Sequence, residues 1–99
     1  MTGHENEAAV DALVLHPDDG VATALRPLTA GTQAWVMTPN GPRKIRIVED
    51  IRRCHKFALA DISAGSEVRK YGEIIGDATT DIEAGCHVHI HNLVGRSGS

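Results

Sequence analysis

Apolar residues in this chain come in short runs, each closed by a glycine or a proline-led turn at intervals of about ten residues. That spacing predicts a small, mainly β domain of short bent hairpins, because helices need longer stretches with a 3.6-residue period. Residues 12–15 read as a short apolar strand. Pro17-Asp18-Asp19-Gly20 follows as a turn in which Pro presets φ, Asp caps and Gly accepts positive φ. The stretch 21–28 starts β-branched and alternates, which favours strand over helix. Ala30-Gly31 turns the chain into a strand at 34–37, and Asn40-Gly41, framed by Pro39 and Pro42, marks a hairpin turn. Residues 44–48 alternate basic and apolar, as a half-buried strand does. Residues 49–53 are read as a helical turn.

The C-terminal half carries the most information. Runs at 55–62, 71–76 and 88–93 are separated by Gly-containing turns. Side chains at i, i+2 and i+4 of a strand share a face. On a strand through this region His87, His89 and His91 share one face, and Val88 and Ile90 point to the core. Ile90→Ala is then expected to cost about 2–5 kcal/mol.

An internal repeat runs through the chain. Asp61-Ile62-Ser63-Ala64-Gly65-Ser66-Glu67-Val68 matches Asp81-Ile82-Glu83-Ala84-Gly85-Cys86-His87-Val88, and 28–35 is a weaker echo. Each unit predicts a strand end, a left-handed Gly and a new strand. The period is too short and irregular for a solenoid.

Composition adds bounds. Ninety-nine residues make one domain, with 10–94 as its body and flexible tails at 1–9 and 95–99. With three aromatic residues, Trp35, Phe57 and Tyr71, the core must come from Ala, Val, Ile and Leu. Net charge is −3, which argues against a sequence-independent nucleic-acid binder. Charge is unevenly spread. The first 19 residues hold Glu5, Glu7, Asp11, Asp18 and Asp19 with no Lys or Arg, whereas Arg43, Lys44, Arg46, Arg52, Arg53 and Lys56 cluster within 43–56. The basic cluster reads either as a solvated face or as a rim that attracts a small anion. No secretory leader pattern and no membrane-length apolar run is visible, so a cytoplasmic location with Cys54 and Cys86 reduced is expected.

The candidate chemistry is in the histidines. His89 and His91, two apart on a strand, can share a metal, with His87 or His55 as a third ligand; hydrogen bonding to backbone or to a partner is the structural alternative. His55-Lys56 sets a titratable group beside a cation, suited to binding a carboxylate and moving a proton, or forms a plain surface pair. Tyr71 before Gly72 packs on a turn or contacts substrate. Asp18 and Asp19 are explained by turn capping. Cys54 and Cys86 lack an evident activating base.

Taken in order, these motifs resemble the SAF domain, the β-clip module of the altronate and galactarate dehydratase superfamily, which also includes two-subunit sulfolactate sulfo-lyases. The resemblance rests on Leu15-His16-Pro17-x-Asp19-x-Val21-Ala22, His55-Lys56-x-Ala58-Leu59, Lys70-Tyr71-Gly72-Glu73-Ile74-Ile75-Gly76 and Val88-His89-Ile90-His91-Asn92-Leu93. It covers roughly residues 12–93. Two positions depart from the family pattern: Gly20 stands where Asn is expected, and Cys54 where Gly is expected.

The resemblance implies a free-standing small subunit, inactive alone, with a large catalytic partner. Membranes and nucleic acid are not among the partners it implies. The reaction implied is β-elimination from a small anionic hydroxy acid, with sulfolactate favoured and altronate or another sugar acid next. Fe2+ or another divalent metal, held mainly by the large subunit, is the implied cofactor. His55, His89 and His91 are the implied catalytic residues, Lys56, Tyr71 and Asn92 the substrate contacts, and His89 and His91 the metal contacts. A non-enzymatic carbohydrate- or partner-binding SAF module is the alternative.

Overall fold

The computed structural model describes residues 10–95, and every regular element among them is a strand. In chain order these are β1 (Ala12–Leu13), β2 (Val21–Ala24), β3 (Gln33–Thr38), β4 (Gly41–Arg46), β5 (Lys56–Ala58), β6 (Glu67–Lys70), β7 (Glu73–Ala78), β8 (His87–Val88) and β9 (Leu93–Gly95). They form a six-stranded sheet in the order β4-β3-β1-β2-β5-β8 and a three-stranded sheet, β6-β7-β9. Only β1 and β3 pair in parallel; the other named pairs are antiparallel. The expected tails, 1–9 and 95–99, lie outside the described residues except for Gly95, which pairs with Gly76.

The alternating pattern places the core. Ala34 and Val36 of β3 and Ile45 of β4 point inward, while Trp35, Met37 and Lys44 face out. They join Ala12, Ile47, Ile51 and Phe57 in one apolar cluster. A second cluster lies between the sheets, with Val21, Ala58 and Val88 from one and Val68 and Ala78 from the other. Neighbours on a strand point to opposite faces. Phe57 and Ala58 of β5 therefore feed different cores, and so do Val21 and Ala22 of β2.

The repeat explains how two small sheets hold together. Ile62 bridges Ile82, and the two copies cap each other: the Ala64 N–H donates to Asp81 Oδ1 (2.8 Å) and the Ala84 N–H to Asp61 Oδ1 (2.9 Å). The echo at 28–35 uses the same device with a different partner. Leu28 bridges Ile51, and the Ala30 N–H donates to Asp50 Oδ1 at 2.9 Å. Each turn glycine is left-handed, with φ of 91° at Gly31, 86° at Gly65 and 88° at Gly85. At Gly85 a side chain is excluded twice over, since a Cβ there would also collide with the Arg46 carbonyl oxygen.

Three expectations change. Residues 49–53 form no helical turn, because Ile51 is pulled into the bridge with Leu28 and is buried. The first strand stops at Leu13, with Val14 buried and Leu15 exposed. The last histidine run does not continue as a strand beyond Val88. Val88 is fully buried as expected, but Ile90 is 85% exposed, so the large cost expected for Ile90→Ala does not hold.

Candidate functional site

The chain reverses at His89–Asn92 because Asn92 holds it there. The buried Asn92 side chain accepts the His89 N–H at Oδ1 (2.9 Å) and donates from Nδ2 to the His87 carbonyl (2.7 Å); the Asn92 N–H donates to the His89 carbonyl (3.1 Å). One Oδ1 lone pair and one Nδ2 hydrogen of the amide are used inside the turn, so Asn92, expected as a substrate contact, also sets the turn. Ile90 sits at the tip of this turn, which is why it escapes the core.

The turn folds the histidines back on one another. β5 and β8 pair with Phe57 opposite His87 and Lys56 opposite Val88. Continuing that register carries His55 opposite His89. The rings of His55 and His87 lie 5.0 Å apart, those of His55 and His89 4.8 Å, and those of His87 and His89 5.2 Å, the last pair stacked. His55 Nδ1 and His87 Nε2 share a hydrogen bond of 2.9 Å. His91 packs against His87 at 5.3 Å. All four histidines singled out in the sequence thus meet in one cluster, although a turn and not a straight strand gathers them.

Electrostatics favour the neutral form of the inner rings. His87 has its pKa lowered by burial first, then by the neighbouring His55, His89 and His91. His89 is lowered by desolvation, then by His55, Lys56 and His91. A neutral imidazole offers a lone pair, to a proton or to a cation.

Lys56 is separated from His55 by the pleat. It shares its face with Val88 and points toward the second sheet. There it meets Lys70: its pKa is lowered by burial first and by the Lys70 charge second. Among the described residues neither ammonium forms an ion pair with a carboxylate. The Lys70 Nζ instead lies over the Tyr71 ring at 4.7 Å from its centroid. Tyr71 is exposed, so its ring borders this patch.

The sequence reading missed what presents Tyr71. Lys70 pairs with Glu73, leaving a two-residue hairpin loop, and both loop residues are left-handed, φ 56° at Tyr71 and 77° at Gly72. The buried Asp19 carboxylate reaches across to accept both loop N–H groups, Tyr71 at 2.9 Å and Gly72 at 2.8 Å. Capping within its own turn does not account for Asp19. The His16 ring lies against Gly72 so closely that a Cβ there would meet it. His16 Nδ1 accepts the Asp18 N–H (3.1 Å), which leaves Nε2 as its protonated nitrogen when the ring is neutral. The run His-Pro-x-Asp was the available signal.

Cys54 takes the left-handed conformation, φ 71°, just before His55, at the position where Gly is expected from the sequence. Cys54 and Cys86 are free thiols, and burial followed by Glu49 and Glu83 raises Cys86, which makes it a poor nucleophile. The basic cluster divides: Arg43, Lys44 and Arg46 lie along β4, whereas Arg52, Arg53 and His55 line an open cavity of about 590 Å³.

Residues 10–96 match the altronate/galactarate dehydratase SAF domain. The chain belongs to that family. It is 46% identical over 78 residues to altronate dehydratase of Escherichia coli (strain K12), spanning 79% of this chain and 15% of that protein. It is 31% identical over 88 residues to the (2R)-sulfolactate sulfo-lyase subunit alpha of Chromohalobacter salexigens, spanning 86% of this chain and 94% of that subunit. The corresponding subunit of Paracoccus pantotrophus is 42% identical over 57 residues, 58% of this chain and 85% of that one. The module therefore occurs both as a small part of a long chain and as nearly the whole of a separate subunit. Among the described residues, no helix is long and apolar enough to cross a membrane.

Proposed function

We propose that this SAF domain is the small subunit of a lyase that performs β-elimination on a small anionic hydroxy acid, and that it acts with a large catalytic partner. Sulfolactate, giving pyruvate and sulfite, is the first choice of substrate. Altronate or another sugar acid, losing water, is the second. The observation that carries this reading is the convergence of Lys56 and Lys70, two cations with no carboxylate paired to either among the described residues, beside a cluster of four imidazoles. Holding two partly desolvated ammonium groups together is unfavourable unless an anion joins them. The 94% coverage of a sulfo-lyase alpha subunit supports the two-chain arrangement.

In this mechanism Lys56 and Lys70 bind the substrate's anionic groups and Tyr71 borders the bound carbon chain. The base removes the proton from the carbon next to the carboxylate. The electron pair forms the carbon–carbon double bond as sulfite, or water after protonation, leaves from the adjacent carbon. The enol then picks up a proton to give the keto acid. A neutral imidazole of the four-histidine cluster accepts and returns protons. A divalent metal such as Fe2+, held mainly by the partner, would stabilise the enolate charge.

The test is co-expression with a large lyase subunit and assay of sulfite or keto-acid release. His89→Ala should lower kcat/KM by about 10²–10⁴-fold, the usual share of a general acid or base. Unchanged turnover in that variant, with both chains assembled, overturns the role of the histidine. No turnover with any partner favours the non-enzymatic binding module.

A further inference from the structure

We propose that His55, His87 and His89 form a divalent transition-metal site belonging to this chain itself, with one coordination position open to water or to an oxygen of a small ligand. The inference does not depend on the lyase reading. Each of the three offers one imidazole nitrogen, and these nitrogens lie within 4.8 Å of one another. The tightest pair, His55 Nδ1 and His87 Nε2, is 2.9 Å apart. Two nitrogens bound about 2.0–2.1 Å from one ion lie about 2.9–3.4 Å apart at inter-ligand angles of roughly 90–110°. The hydrogen-bonded pair is therefore already at the separation of two ligands on one ion, and loading requires these two rings to turn their lone pairs toward the ion and the His89 nitrogen to close in from within 4.8 Å.

The backbone supports the same arrangement. His87 belongs to the two-residue ladder between β5 and β8, His55 directly precedes it on the β5 side, and the buried Asn92 side chain fixes the chain between the His87 carbonyl and the His89 N–H. Three donors from two paired segments are thus placed before any ion arrives, which lowers the ordering cost of binding. His91 lies outside the ligand set, with its ring tilted against that of His87 at 5.3 Å. The pairing of His89 with His91 expected from i and i+2 spacing is replaced by one of His89 with His55 and His87.

An all-imidazole set selects borderline first-row ions, such as Zn2+, Co2+, Ni2+ or Fe2+, over Mg2+ and Ca2+, which prefer oxygen. Three ligands leave the open geometry of a reactive or ligand-exchanging site rather than the closed one of a structural site. Binding balances simply. Whichever of His55 and His87 donates in the metal-free pair moves that proton to its other ring nitrogen. The neutral chain therefore releases no proton on loading.

The experiment is a Co2+ titration of the full chain, free of tags, after treatment with a chelator. Saturation at one equivalent with a visible ligand-field band that Zn2+ abolishes is the expected result. His55→Gln, His87→Gln and His89→Gln should each weaken binding by about 100-fold or more, and Asn92→Ala by about 10-fold. His91→Gln, His16→Gln and His4→Gln should bind as the unaltered chain does. Circular dichroism establishes that each variant is folded. For any that is not, Zn2+-induced shifts of ring resonances in the unaltered chain replace it, and these should fall on His55, His87 and His89 and spare His16. Co2+ binding that survives the three substitutions, or shifts confined to His4 or His16, overturns the site. Turnover is not read at any point, so failure here is separable from failure of the lyase reading.

Discussion

Two turns of this domain are held by a buried polar side chain, and they use opposite chemistry. At Tyr71-Gly72 the backbone presents two donors, and the clamp is the acceptor-only carboxylate of Asp19. At 87–92 it presents one donor, the His89 N–H, and one acceptor, the His87 carbonyl, and the clamp is the two-faced amide of Asn92. The residue type at each position follows from what the turn leaves unsatisfied. Each clamp then displays chemistry it does not itself perform: a cation and an aromatic ring in one case, a group of imidazoles in the other.

Exchanging the two chemistries is the sharpest way to break this comparison. Asp19→Asn turns an NH2 group toward a backbone N–H and exchanges charge-assisted bonds for one neutral bond. The expected cost is about 2–4 kcal/mol in denaturant unfolding. If Asn serves as well as Asp, the donor–donor description of the Tyr71 turn is wrong. Asn92→Asp sets an acceptor against the His87 carbonyl and should cost about 1–3 kcal/mol. Ring resonances of His87 and His89 should move in this variant, whereas those of His16 should not, which separates loss of the turn from general loosening. The smallest effect is expected at Ile90→Ala. That side chain is 85% exposed, so the change should stay within about 0.5 kcal/mol. A cost of several kcal/mol would restore the straight strand that Asn92 interrupts.

The difference between the turns also shows what the chain revealed in advance. The strand-rich fold and the left-handed repeat glycines were legible because each depends on residues close in sequence, whereas the histidines were legible as residues and their cluster needed the pairing of β5 with β8, 32 residues apart. The strand through His91 was misread because the period-2 pattern of 87–91 is satisfied equally by a turn, and Asn92, the residue that decides, lies just beyond it. Asp19 was misread for a different reason. Its carboxylate could be satisfied within its own turn, and the partners it uses lie 52 and 53 residues away. His55 and Lys56, adjacent in the chain, are turned by strand alternation so that His55 joins the imidazoles while Lys56 reaches Lys70 and still borders His89. The repeat was visible, but its two copies facing each other was not.

That facing pair sets how the domain comes apart. Asp61 and Asp81 each satisfy an N–H in the other's copy, so neither copy can be completed while the other is open. The segments from 61 to 85 should therefore gain and lose protection from solvent exchange together, as a single cooperative unit. The tip of the β3–β4 hairpin around Pro39-Asn40, beyond the part of β3 that pairs with β1, is free to breathe separately. The His55 side of the imidazole cluster is tied through β5 and β8 to the cooperative unit, which makes the centre of the molecule its least yielding part and leaves the hairpin end to absorb motion.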